Sequence, residues 1–304
     1  MPKFEDYEIT KRFKSGAMGK TFLVRHKKTG VLYVMKRIDY TDEEDKKLAD
    51  DEVEQMKRLD SRFTVKLICT FPDRSDLCLI LEYCPGGDLR KVIQDLQQLP
   101  TVERIKRVWN FMAQIAEALD FMHSNKVIHR DIKPENIFIM DDGTIRLGDF
   151  GLAKALTEKY YATVAGTKFY LAPEVWLQKI MTYLSDIYAF GVVTFELLTG
   201  HHPFFADNEQ EMIEKIKKGE SDQLPNWVPI KMKEQIMTMI DVDQGRRPSA
   251  RDIMQTDKIS EIILELDDDA EAKQLTEEKL KIINEEIRTI AKTKHFQQDL
   301  IIKL

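Results

Sequence analysis

Asp131, Asn136 and Asp149 stand within a short stretch of a 304-residue chain, and their types and spacing suit the handling of a metal-bound anion. Asp131 and Asn136 belong to His129-Arg130-Asp131-Ile132-Lys133-Pro134-Glu135-Asn136, and Asp149 opens Asp149-Phe150-Gly151. Between them, Ile137-Phe138-Ile139 and Ile145-Arg146-Leu147 flank Asp142-Gly143, the pattern of a β-hairpin that brings Asn136 and Asp149 together. Two hard oxygen donors suit Mg²⁺, which takes few protein ligands and completes its shell with phosphate and water. Asp131 is then left to accept a proton from a hydroxyl. Aspartate and asparagine are also common turn formers, so the order of all three carries the reading, not any one of them.

Two earlier segments extend the pattern. Ser15-Gly16-Ala17-Met18-Gly19 lies between two strand-like runs, where Gly16 and Gly19 would let backbone N–H groups approach phosphate oxygens. A plain hairpin turn is the alternative for that segment alone. Lys36 is expected to end a strand, and Glu52 shares a helical face with Leu48 and Met56 that points into the protein. A carboxylate buried there without a partner would be costly, so Lys36 is its natural counter-ion, and the pair would set the ammonium against nucleotide phosphates.

These residues need elements to position them. From Tyr7 to Cys84 short apolar runs alternate with turns: Phe22-Leu23-Val24, the turn Lys28-Thr29-Gly30, Val31 to Met35, Val65 to Phe71 and Leu77 to Leu81. One helix interrupts them, with Leu48, Glu52, Met56 and Leu59 on one face. After Pro85-Gly86-Gly87 the period moves toward 3.6, with a stripe at Val108, Met112, Ile115, Leu119 and Met122. Further helices are expected over Ser185 to Thr199, Glu209 to Lys218 and Met232 to Ile240. A small β-rich lobe is thus followed by a larger helical one. After Lys258 the chain lacks Pro and Gly, and Thr276, Leu280, Ile283, Ile287 and Ile290 alternate steps of four and three. That tail is an amphipathic helix, either packed on the body or pairing with a second copy or a docking partner.

Composition excludes several classes. Hydrophobic residues at 43% supply a core, and a net charge of −6 with both signs interspersed gives no polybasic surface for nucleic acid or lipid. No apolar run approaches the roughly 18 residues of a membrane span, since Glu196 interrupts Tyr188 to Leu198. The acidic N-terminus lacks signal-peptide order, and Cys69, Cys78 and Cys84 show neither pairing nor C-x-x-C spacing. A reducing compartment, cytoplasmic or nuclear, is expected.

On these motifs, residues 7 to about 258 resemble a eukaryotic protein kinase domain of serine/threonine type. Asp39-Tyr40, the run Leu81-Glu82-Tyr83-Cys84-Pro85-Gly86-Gly87-Asp88-Leu89, the run Leu147 to Lys154, and His202-Pro203-Phe204 are similar to the NIMA-related (NEK) kinases. The resemblance implies an α+β bilobal fold: an antiparallel sheet lobe with one main helix over 1–84, a mainly helical lobe over 85–258, and a helical tail over 259–304. It implies Mg²⁺-dependent transfer of phosphate from ATP to serine or threonine of protein substrates. Asp131 would be the catalytic base, Lys133 would steady the phosphoryl group, and Asn136 and Asp149 would bind Mg²⁺. Around ATP it places Gly16, Gly19, Lys36 and Glu52 at the phosphates, with Leu81 as gatekeeper and Glu82 and Cys84 as the hinge. Thr21 and Val34 would lie above the adenine, Phe138 beneath it and Asp88 near the ribose.

Lys133 and Thr167 point to serine and threonine acceptors. Arg130 implies pairing with a phosphate on the activation segment, at Thr163, while Glu174 with Arg247 and the brace Asp186 are architectural. Four positions depart from the family pattern: Lys14 replaces the first glycine of the phosphate loop, Thr21 a valine, Val34 an alanine and Lys168 a proline. Extra atoms over adenine commonly cost about 1–3 kcal/mol, so a raised ATP requirement is expected. The alternative is a nucleotide- or partner-binding module with little turnover.

Overall fold

The computed structural model describes residues 2–13, 20–155, 160–161, 168–272, 274 and 278. Lys14, Gly16, Gly19, Thr163, Thr167 and the repeat Thr276, Leu280, Ile283, Ile287 and Ile290 lie outside the described residues.

Strands β1 (Tyr7–Arg12), β2 (Lys20–His26), β3 (Leu32–Asp39), β4 (Leu67–Asp73) and β5 (Asp76–Glu82) form an antiparallel sheet in the order β1-β2-β3-β5-β4. Paired residues share a face, and faces alternate along each strand. The pairs Thr21 with Lys36, Leu23 with Val34, Lys36 with Leu79 and Val34 with Leu81 therefore place all six side chains on one face. The opposite face carries Val24, Met35, Cys78 and Ile80, closed by Tyr7 and Phe71, whose rings stack at 5.9 Å. This second cluster lets the sheet bury its outer face while keeping the inner one for a cleft. Lys36 is mid-strand, which corrects the expectation that it ends one. Arg37, Ile38 and Asp39 continue the ladder, and Arg37 is held by ion pairs of 2.7 Å to Asp73 and Asp76.

Helix α1 (Glu43–Arg58) begins at Asp42, whose carboxylate accepts from the amides of Glu44 and Asp45. Acidic residues fill its first turn and Lys57 and Arg58 its last, matching the helix dipole at both ends. Its buried face is Ala49, Glu52, Val53 and Met56, whereas Leu48 is 56% exposed. The expected face is therefore turned by one residue, but Glu52 still points inward.

The larger lobe follows: β6 (Gly87–Asp88), α2 (Leu89–Gln97), α3 (Thr101–Ser124), β7 (Val127–Ile128), then the hairpin β8 (Ile137–Ile139) and β9 (Ile145–Leu147). Next come β10 (Lys154–Ala155), β11 (Tyr160–Tyr161), α4 (Pro173–Gln178), β12 (Ile180–Met181) and α5 (Tyr183–Thr199). The lobe ends with α6 (Glu209–Lys218), α7 (Ile230–Met239), α8 (Ala250–Met254) and α9 over 257–272. Helix α5 is buried from Ser185 through Leu198, so it is the axis on which the lobe packs. Among the described residues no helix is long and apolar enough to cross a membrane.

Helix α9 runs through the 258/259 position at which the sequence sets the tail. Ile259 and Ile262 are buried in the main core. Arg62, in the loop after α1, pairs with Glu117 of α3 at 3.0 Å and with Asp267 of α9 at 2.5 Å. The start of the tail thus contacts both lobes. Ile259→Ala should destabilise the fold by about 2–5 kcal/mol in chemical denaturation, while Leu264→Ala, at an exposed position of the same helix, should stay within about 0.5 kcal/mol.

Candidate active site

The loop after β7 is held by one carboxylate. Asp186 at the start of α5 is buried and accepts from the His129 amide at 2.9 Å, the Arg130 amide at 2.9 Å and His123 Nε2 at 3.0 Å. These bonds fix Arg130 at φ +72°, a left-handed conformation costly for a long side chain. His129 is fully buried; its Nδ1 accepts from the Asp131 amide at 3.3 Å, so its Nε2 carries the proton and donates to the Gly148 carbonyl at 3.1 Å. One imidazole thereby joins the Asp131 loop to the residue before Asp149.

Asp131 is oriented from two sides. Its Oδ2 accepts from Lys133 Nζ at 2.6 Å and from Asn136 Nδ2 at 2.9 Å. Asn136 Nδ2 also donates to the Asp131 carbonyl at 2.8 Å, which fixes the amide with its oxygen turned away. The hairpin pairs Ile137 with Leu147, and the Gly148 amide donates to the Asn136 carbonyl at 3.0 Å. Gly148 must lack a side chain, because a Cβ there would come within 2.8 Å of the Phe138 ring and 2.9 Å of Val65. Asn136 Oδ1 and Asp149 Oδ2 accept no hydrogen bond among the described residues. An amide oxygen and a carboxylate oxygen left in this state fit a hard divalent cation such as Mg²⁺.

Across the cleft, Lys36 Nζ lies 2.8 Å from Glu52 Oε1 and 2.9 Å from Asp149 Oδ1. Burial would lower the ammonium's pKa, but the two carboxylates overcome it and raise the value above the ordinary lysine one. Burial would likewise raise Asp149, and Lys36 reverses that, holding its carboxyl below the ordinary aspartate value. Burial wins at Glu52, whose pKa is raised despite Lys36. Asp149 sits at φ +61°, with Phe150 buried behind it and its ring 5.6 Å from that of His129. The cation and the metal-ligand candidate are therefore already in register.

The remaining cleft positions are brought together by pairing. Thr21, Val34 and Leu81 lie on the sheet face that carries Lys36. Asp88 pairs with Phe138, joining the chain after the lobe boundary to the hairpin floor. The Glu82 amide is committed to the Lys66 carbonyl at 2.9 Å, and the Cys84 carbonyl accepts from Gly87 at 3.2 Å. Away from the cleft, Arg247 grips Glu174 with two bonds of 2.9 and 2.8 Å, both residues buried. Lys168 makes a surface ion pair with Glu209 at 2.6 Å.

One charged cluster beside the loop escaped the sequence reading. Arg90 reaches Glu135 at 2.7 Å, Glu196 at 3.2 Å and the Tyr170 hydroxyl, which itself donates to Glu196 at 2.8 Å. Its signal was available: Glu196 stands among apolar residues in the second half of α5, and a carboxylate so placed requires a cation.

The two lobes, with a lysine clamped from one and an aspartate–asparagine loop from the other, define a protein kinase architecture. The sequence pattern described as "Protein kinase domain" matches residues 7–259, and the chain belongs to that family. Its relatives include "Serine/threonine-protein kinase Nek6" of Oryza sativa subsp. japonica, 33% identical over 82% of this chain and 47% of the relative. "Probable serine/threonine-protein kinase nek2" of Dictyostelium discoideum is 33% identical over 82% of this chain and 62% of its own length. "Serine/threonine-protein kinase Nek2" of Mus musculus is 31% identical over 86% and 62%. The chain thus resembles the NIMA-related kinases while spanning 47% and 62% of the first two relatives.

His202 ties the segment after Thr167 to the lobe. Its Nδ1 accepts from the Phe204 amide at 3.2 Å, so Nε2 donates to the Phe169 carbonyl at 3.1 Å, a neutral tautomer that protonation would break. Burial pushes its pKa down from 6.5 to about 3. Because the unfolded chain binds this proton more readily, stability should fall as pH drops below about 6.5, until about 3, by as much as roughly 5 kcal/mol. His202→Gln should flatten that part of a pH series of denaturation midpoints.

Proposed function

We propose that the chain transfers the γ-phosphoryl group of ATP to serine and threonine hydroxyls of protein substrates. The carrying observation is Lys36, held at once by Glu52 and Asp149 while Asp131 is oriented by Lys133 and Asn136. The acceptor oxygen attacks the γ-phosphorus, its proton passes to Asp131, and the bond to the ADP oxygen breaks. Lys36 neutralises phosphate charge, and Lys133, beside Asp131, does the same on the transferring group. Mg²⁺, held by Asn136 and Asp149, would supply further charge neutralisation on the phosphates. Its substrates are proteins in a reducing compartment, the cytosol or nucleus. Radiolabel from γ-labelled ATP should reach a generic protein substrate, and Asp131→Asn should reduce it by at least about 10²-fold. Equal background label from both proteins would leave a nucleotide-binding module.

Thr21, Val34 and Leu81 on the cleft face support a crowded adenine roof. Val34→Ala should lower the KM for ATP by about five-fold or more, the equivalent of the lower end of the 1–3 kcal/mol cost of overpacking. An unchanged KM would remove the roof as a cause of weak binding. Regulation by phosphate on Thr163, received by Arg130 in the Asp131 loop, completes the proposal. Phosphatase treatment should reduce activity in wild type but leave Thr163→Ala at its own baseline.

A further inference from the structure

The loop from Leu59 to Val65 joins the end of α1 to the segment that enters Asp149. At one end the Leu59 amide closes the last turn of α1 on the Gln55 carbonyl at 2.9 Å, and the Leu59 carbonyl accepts from the Thr64 hydroxyl. At the other, the Leu147 amide donates to the Phe63 carbonyl and the Val65 amide to the Leu147 carbonyl, both at 2.8 Å. Gly148 follows so closely that a Cβ there would come within 2.9 Å of Val65. Glu52 lies about two helical turns before this loop, and Asp149 directly follows Gly148. A displacement of the loop is therefore felt by both carboxylates that hold Lys36.

Two arginines tie the loop to the large lobe. Arg58 donates to the Asn125 carbonyl after α3 at 2.6 Å. Arg62 lies over the Phe63 ring at 4.8 Å and pairs with Glu117 of α3 at 3.0 Å, and it is also reached from α9, by Asp267 at 2.5 Å. Glu117 is buried and needs a cation, whereas the side chains of Arg62 and Asp267 are half-exposed. A half-exposed pair contributes little to global stability, so the weight of the Asp267 contact lies in where it holds the loop. Packing presents Asp267 there: Ile259 and Ile262 of α9 are buried in the main core, and Ile263 and Leu266 pack against it. The family pattern ends at residue 259, so this carboxylate is supplied from outside the kinase domain itself.

We propose that Asp267 is a positioning residue for phosphotransfer: by fixing Arg62 against Glu117 it sets the loop that carries Glu52 on one side and Asp149 on the other, and so the presentation of Lys36 to nucleotide. This rests on the phosphotransfer activity proposed above. The test is steady-state kinetics on the full chain, with ATP and a protein substrate varied in turn. Wild type is compared with Asp267→Lys, with Asp267→Glu, and with Asp268→Lys, which makes the same charge change at an exposed neighbour on the same helix. Asp267→Lys should raise the KM for ATP by about two- to five-fold, the scale of one half-exposed ion pair, and leave the KM for the protein substrate unchanged. Asp267→Glu and Asp268→Lys should keep the wild-type value. Loss of folded protein would lower the apparent kcat and move neither KM, which separates positioning from bracing.

In an Arg62→Gln/Glu117→Gln background, which removes the cation together with the buried carboxylate that needs it, Asp267→Lys should have no further effect. Hydrogen exchange over residues 61–65 and 145–149 should quicken in Asp267→Lys. An unchanged KM for ATP in Asp267→Lys overturns the proposal, as does unchanged exchange in both segments. So does an equal rise in KM in Asp268→Lys or in the Arg62→Gln/Glu117→Gln background. If that background does not fold, the comparison of Asp267→Lys with Asp268→Lys decides alone. A folded wild type that transfers no phosphate would refute the underlying activity, and with it the role assigned to Asp267.

Discussion

One buried ammonium links the two lobes. Lys36 comes from the centre of the sheet, Glu52 from helix α1 of the small lobe, and Asp149 from the turn after the hairpin of the large one. Removing one member of a buried ion pair commonly costs about 3–5 kcal/mol, because the partner charge is left without compensation. Each partner therefore constrains the other two. Helix α1 must turn Glu52 inward, the sheet must keep Lys36 on its inner face, and Asp149 must adopt a left-handed backbone to reach across. The outer cluster around Tyr7 and Phe71 serves this arrangement, since it stabilises the sheet without using the cleft face.

The floor of the cleft depends on a second carboxylate with a different role. Asp186 binds backbone amides, and so it stabilises a strained turn at Arg130 that no local preference would produce. Through His129 the same turn is bonded to Gly148 and thus to the approach of Asp149. Asp131, the metal-ligand candidates and the Lys36 ammonium are parts of one hydrogen-bonded framework. Preorganised charges of this kind do not have to rearrange during reaction, which is where their catalytic value lies.

Much of this was legible in the sequence because short-range patterns encode it. The Asp142-Gly143 hairpin, the change of period after Gly87 and the inward position of Glu52 follow from turn chemistry and side-chain spacing. Helix α6 falls on the residues expected for it. Long-range consequences were less legible. Leu48 was placed inward because it is apolar, but helix rotation is set by the packing surface, and Ala49 is the residue that fits. The run of β3 beyond Lys36 depends on β5, with Arg37 charge-paired at its edge. The Arg90 cluster joins residues far apart in the chain, so only Glu196, set among apolar residues of α5, announced it.

In the proposed reaction Lys36 and Asp149 act as a single prearranged site for Mg²⁺ and nucleotide. Calorimetric titration of ATP, with and without Mg²⁺, into wild type, Asp149→Asn and Lys36→Met tests it most directly. The expected result is Mg²⁺-enhanced binding in wild type, loss of the enhancement in Asp149→Asn, and weakened binding in Lys36→Met. Equal affinities for all three folded proteins, whether or not Mg²⁺ is present, would contradict it.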